Sequence, residues 1–102
     1  MAINVLVKKP GEQARRMTVP NTLKSFQSLV GGYIETQTLA QDVVLICNEE
    51  GLINDMEYNT TIYGIQLFGP IVLAGVDGED FTDLTYDNSV LKILLPQLWE
   101  VA

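Results

Sequence analysis

The side chains best suited to chemistry fall into two groups. Lys8, Lys9, Arg15 and Arg16 crowd the beginning of the chain, and Tyr58, Asn59, Thr60, Thr61 and Tyr63 form a polar, aromatic stretch in its second half. Cations can seat phosphates, tyrosine faces can stack on a base, and asparagine can pair with a base edge. With Tyr33 and Asn48 added, the candidate ligand contacts are Lys8, Lys9, Arg15, Arg16, Tyr33, Asn48, Tyr58 and Asn59.

Groups that make or break bonds are scarce. The 102 residues contain no histidine, which removes every triad or metal site that depends on imidazole. The one cysteine, Cys47, lies in an apolar run with no neighbouring Lys or Arg to activate it, and reads as a small core residue. A lone cysteine forms no intrachain disulfide and fits a reducing compartment. Glu49/Glu50 and Asp55/Glu57 could act as acid and base only if burial split their pKa values, which a sequence does not show. Asp77-Gly78-Glu79-Asp80 with Asp83 lacks the spacing of a calcium loop and reads as an acidic turn. Gly31-Gly32 follows a helix, whereas a phosphate cradle precedes one, and neither GxxxxGK[ST] nor GxGxxG occurs. No catalytic residue, metal site or cofactor is expected, and the protein reads as a non-enzyme.

Charge is unevenly spread. The formal net charge is −7, yet five of the six Lys and Arg fall in residues 1–24 against one acid, Glu12. Residues 25–102 hold Lys92 against twelve acids. An acidic body repels nucleic-acid backbone, so direct nucleic-acid binding is not expected. The basic beginning reads as a solvated hairpin face or a local anion site.

The elements that must position these groups follow from periodicity. Ile3–Val7 and Arg15–Val19 alternate as strands around the Pro10-Gly11 turn. Asn21 is placed to cap a helix carrying Leu23, Phe26, Leu29 and Val30 on one face, with Gly31 as its stop. Tyr33–Leu39 alternates. Val43–Cys47 and Ile71–Val76 are continuously apolar and read as strands buried on both faces. Residues 52–64 show no clean period and read as a loop; Ile65–Phe68 is a short strand or a helical turn. A last helix from about Tyr86, capped by Thr85 or Asp87, carries Val90, Leu91, Leu94, Leu95, Leu98 and Trp99, and Pro96 must end or kink it. The expectation is one α+β domain: a small mixed or mostly antiparallel sheet with two helices packed on one face. The leucine-rich end leaves apolar surface to hide, so a homo-oligomer is expected. No secretory leader or membrane span is visible, and the cytoplasm is the expected compartment.

Three blocks carry a family resemblance: Leu29-Val30-Gly31-Gly32-Tyr33-Ile34-Glu35, Val44-Leu45-Ile46-Cys47-Asn48-Glu49-Glu50-Gly51 and Gly75-Val76-Asp77-Gly78-Glu79-Asp80-Phe81. Together they resemble short uncharacterised proteins encoded by phages, prophages and plasmids of Gram-positive bacteria. Members often carry a Pro-Asn-Arg-like segment where this chain reads Glu57-Tyr58-Asn59-Thr60; Asn59 matches and the basic residue is missing. The resemblance implies an accessory protein of a mobile element inside a bacterial host cell, where small phage proteins often blunt host defence. Two routes suit these residues. One is sequestration of a small nucleotide-derived signal. The other is an acidic protein–protein inhibitor of a defence protein that imitates nucleic acid.

Overall fold

Two runs of apolar residues form the middle of the molecule. The computed structural model describes residues 1–101. The strands are β1 (Ala2–Lys8), β2 (Arg15–Pro20), β3 (Ile34–Ala40), β4 (Val43–Asn48), β5 (Tyr58–Ile62), β6 (Ile65–Phe68), β7 (Ile71–Asp77) and β8 (Asp80–Thr82). The helices are α1 (Leu23–Val30) and α2 (Asn88–Leu94), and a 3-10 turn follows at Pro96–Trp99. The main sheet runs β2-β1-β7-β4-β3, every described pairing is antiparallel, and β8 pairs with β7. β5 and β6 form a separate hairpin. The fold is α+β with an antiparallel sheet, as the patterning predicts.

β4 and β7 are apolar on both faces because both faces are covered. Ile3, Val5, Val7, Val44, Ile46, Val72 and Ala74 pack with Phe26 and Val30 of α1. Leu6, Val43, Leu45, Cys47, Ile71 and Leu73 pack on the other side with Leu91 and Leu95, Leu98 of the 3-10 turn, and Ile62 and Leu67 of the small hairpin. The helices therefore lie on opposite faces of the sheet, which corrects the one-face expectation. A single layer would have left one set of these valines and isoleucines in water, at about 1.5–3 kcal/mol for each side chain.

Local signals explain the helix ends. Thr22, not Asn21, caps α1: its side chain accepts from the Ser25 amide. Asn21 turns away and its side-chain amide donates to the Phe81 carbonyl at 2.9 Å. Phe81 also meets Phe26 edge-on, ring centres 5.1 Å apart. Gly31 ends α1 in the left-handed region, as expected. Asp87 is the residue before α2, and Pro96 opens the 3-10 turn rather than kinking a longer helix.

β1 is an inner strand whose edge toward β7 is shared. β7 pairs with it at Leu6–Lys8, and further back the Leu84 amide donates to the Asn4 carbonyl while the Asn4 amide donates to the Asp83 carboxylate. Gly75 of β7 stands opposite Thr82 of β8 where this second segment crosses closely. A Cβ at Gly75 would lie 2.2 Å from the Asp83 carbonyl oxygen, so only glycine fits there.

Candidate functional site

Lys8 is the last residue of β1 and points to the side of the sheet that carries Leu6, α2 and the small hairpin. That side is covered, and Lys8 is only 2% exposed. Its ammonium donates to Asn59 Oδ1 at 2.8 Å and makes a longer contact, 3.5 Å, with the Lys9 carbonyl. Asn59 is itself buried in β5, and its Nδ2 donates to the carbonyls of Lys8 and Gly69, both at 2.8 Å. One asparagine thus ties the end of β1, the small hairpin and the turn before β7. Both amide hydrogens meet carbonyls, which fixes the oxygen toward Lys8.

These groups open into a cleft of about 280 Å³. Its lining includes Lys8, Glu57, Tyr58, Asn59, Gln97 and Glu100. Burial pulls the Lys8 ammonium below the ordinary lysine value, and Glu12 pushes partly back. Tyr58 meets Phe68 edge-on, its hydroxyl 2.6 Å from Thr61 Oγ1, so its half-exposed ring is held in place. Gln97 donates to the Thr61 carbonyl, which joins the 3-10 turn to β5. A buried ammonium, a fixed aromatic wall and acceptors at the mouth share one cleft, a geometry that suits an anionic group beside a flat one.

Three of the eight sequence-predicted contacts, Lys8, Tyr58 and Asn59, come together here. The others do not join them. The Arg16 guanidinium donates to Asn88 Oδ1, Asn4 Oδ1 and the carbonyls of Leu84 and Tyr86. It clamps the segment leading into α2 and is spent on folding. Asn48 is buried; it donates to the Val30 carbonyl at 3.1 Å and accepts from the Glu50 amide, holding the end of α1 against β4. Lys9, Arg15 and Tyr33 are exposed and line none of the clefts described here. The basic beginning therefore does not act as one patch, because Lys8 and Arg16 are turned inward by the pleat. Gln97 and Glu100 carry no local signal and reach the cleft only through the final turn. Thr60 stands in the stretch singled out by its polar residues, and Glu57 directly precedes that stretch.

Two other clefts hold carboxylates and no Lys or Arg. Glu35 and Glu49 line one of about 220 Å³, and Asp42 and Asp77 another of about 590 Å³. The acids are thus divided among separate places. Among the described residues, no group of three or more His, Cys, Asp or Glu is placed to hold a metal ion. Among the described residues, no helix is long and apolar enough to cross a membrane.

Cys47 sits beneath the first of these clefts, buried, with Glu35 nearby. Burial first, and the Glu35 charge second, push its thiol from 9.0 up to about 11. A thiol whose folded value is raised stabilises the fold fully below the unfolded value. That contribution drains away as pH climbs from 9.0 toward about 11. Wild type is therefore expected to lose on the order of 1 kcal/mol more than Cys47→Ala between about pH 8 and pH 10. Urea unfolding at the two pH values checks it; equal losses would refute the raised thiol.

Comparison with curated proteins and with solved structures gives no match. Residues 3–94 match the family model described as a domain of unknown function, DUF3846. That span takes in both hairpins of the main sheet, both helices and the Lys8–Asn59 pair. The chain belongs to the DUF3846 family.

Proposed function

We propose that this protein acts by holding a small nucleotide-derived molecule in the Lys8 cleft, and so sequesters a signal, without catalysing a reaction. The observation that carries the reading is the Lys8 ammonium. It is 2% exposed, bonded to an amide oxygen and a distant carbonyl, and lies on a cleft walled by a tyrosine. The hydrogen-bond partners of this buried cation are neutral and Glu12 offsets its desolvation only in part, so an anionic group arriving beside it restores more of what burial took away. The Tyr58 face offers the ring a stacking surface worth about 1–3 kcal/mol. The family blocks support the setting: an accessory protein of a mobile element, working in the cytoplasm of a bacterial host against its defences.

The test is thermal unfolding with cyclic dinucleotides, ADP-ribose derivatives and ordinary nucleotides. A ligand at 100 times its Kd adds about 2.7 kcal/mol and should raise Tm by roughly 10 °C or more in a chain of this size. Lys8→Met should abolish the rise. No rise with any compound at millimolar concentration overturns the reading.

Self-association is part of the proposal. Ile93 and Leu94 on α2 stand 80% and 59% exposed, with Val90 beside them at 40%. Covering such a strip is a common use of a symmetric contact. Light scattering should give a mass at least twice 11.3 kDa, and Ile93→Lys should return it to the monomer value.

A further inference from the structure

We infer that the mouth of the Lys8 cleft sets a limit on the negative charge of its ligand, admitting a nucleotide with a single phosphate or phosphodiester and rejecting the diphosphate and triphosphate of the same base. The inference rests on the binding reading above and concerns which members of that ligand class are held.

The charges of the cleft are opposed by depth. Among the described residues, Lys8 is the one Lys or Arg in its lining, and it forms the floor. Glu57 and Glu100 are exposed and stand at the opening. A third carboxylate, Glu12, acts on Lys8 from the neighbouring turn. Glu57 leans toward that turn, its Oε2 3.9 Å from where a Cβ on Gly11 would be. One buried cation therefore shares its cleft with two exposed carboxylates and feels a third, Glu12, from the adjoining turn. The first anionic group of a ligand reaches the floor and gains Lys8. A second phosphate has no cation left to meet and must extend toward Glu57 and Glu100.

Coulomb's law sets the size of the effect. An extra unit charge about 6 Å from a carboxylate, partly screened by water, should weaken binding by about tenfold. The space agrees with the charge: about 280 Å³ is at the small end for a ligand pocket and suits one mononucleotide. The carboxylates favour the other end of such a ligand. Exocyclic amines of a base on the Tyr58 face would donate to them, which a polyphosphate tail could not do.

The experiment is calorimetric titration with cyclic AMP, AMP, ADP and ATP, each adding about one negative charge, with the guanine series in parallel. Low salt is used first, then about 0.5 M. In wild type, affinity should fall about tenfold from AMP to ADP and again to ATP. In Glu57→Gln/Glu100→Gln the series should compress to under threefold between steps. High salt should compress it in wild type as well, because a Debye length of about 4 Å hides the exposed carboxylates. Both substitutions are on exposed side chains, and the salt series reads the same repulsion without any substitution. ATP binding as tightly as AMP, or a series unchanged by the double substitution and by salt, overturns the charge limit and leaves the binding reading standing. No binding in either series, or Lys8→Met binding as wild type does, overturns both.

Discussion

Replacing Asn59 with alanine should destabilise the protein by about 4 kcal/mol. The side chain satisfies three partners at once: the carbonyls of Lys8 and Gly69 and the ammonium of Lys8, each at 2.8 Å. Alanine leaves two carbonyls and a charge without their partner where the side chains are buried. Each orphaned neutral group costs about 1–3 kcal/mol, and a charged one more. Lys8→Met makes the contrast. It removes the buried charge itself and orphans only the Asn59 oxygen, so its cost should stay at about 1–3 kcal/mol, below that of Asn59→Ala. Urea unfolding of the two variants checks the order. Equal losses would mean that Asn59 serves Lys8 alone and does not join three elements. The mild variant also serves the ligand test, since a folded Lys8→Met separates lost binding from lost structure.

Gly75→Ala should cost about 3 kcal/mol or more, for a reason unrelated to polarity. The new methyl would sit 2.2 Å from the Asp83 carbonyl oxygen and 2.7 Å from Thr82 Oγ1. The hydroxyl can rotate away. The carbonyl cannot, because the chain on both sides is fixed: Gly75 pairs with Thr82, and the next amide, Leu84, donates to Asn4. Thr82→Ala in the Gly75→Ala background should therefore recover little stability. Urea midpoints give the magnitude, and amide exchange at Leu84 shows where the fold has opened. Full recovery in the double variant would assign the clash to the hydroxyl instead.

The main sheet was legible because its strands announce themselves by composition. Val43–Cys47 and Ile71–Val76 have no polar alternation, and a strand with no polar face must be covered twice. That same fact, followed through, already places the helices on opposite sides; helical periodicity says which face of a helix is buried but not which layer it joins. The small hairpin was missed for a different reason. Its tip is Tyr63-Gly64, with φ of 50° and 80°, a two-residue turn with both residues left-handed. Asn or Asp is the usual first residue there, and Tyr hides the signal. The β-branched run Thr60-Thr61-Ile62 was the available clue.

Of the candidate site, the chemistry of single residues was legible and their assignment was not. Arg16 and Asn48 are polar residues near turns, which is how binding residues look in a sequence. Both have instead been drawn inward to satisfy carbonyls outside the strands, Arg16 that of Leu84 and Asn48 that of Val30 at the end of α1. Lys8 and Asn59 are fifty-one positions apart and meet only when β5 folds over the end of β1. No local pattern encodes that meeting.

β7 lies at the centre of the sheet and arrives late in the chain. The residues before it make two hairpins, β1 with β2 and β3 with β4, whose inner edges face the gap that β7 fills. A ribosome therefore releases both halves of the sheet before the strand that joins them. During that interval two apolar edges stand open to neighbouring nascent chains, and joining Leu6 to Leu73 is a slow, long-range step. Synthesis rate and chaperone supply, more than final stability, should set the yield of this protein when it is made quickly.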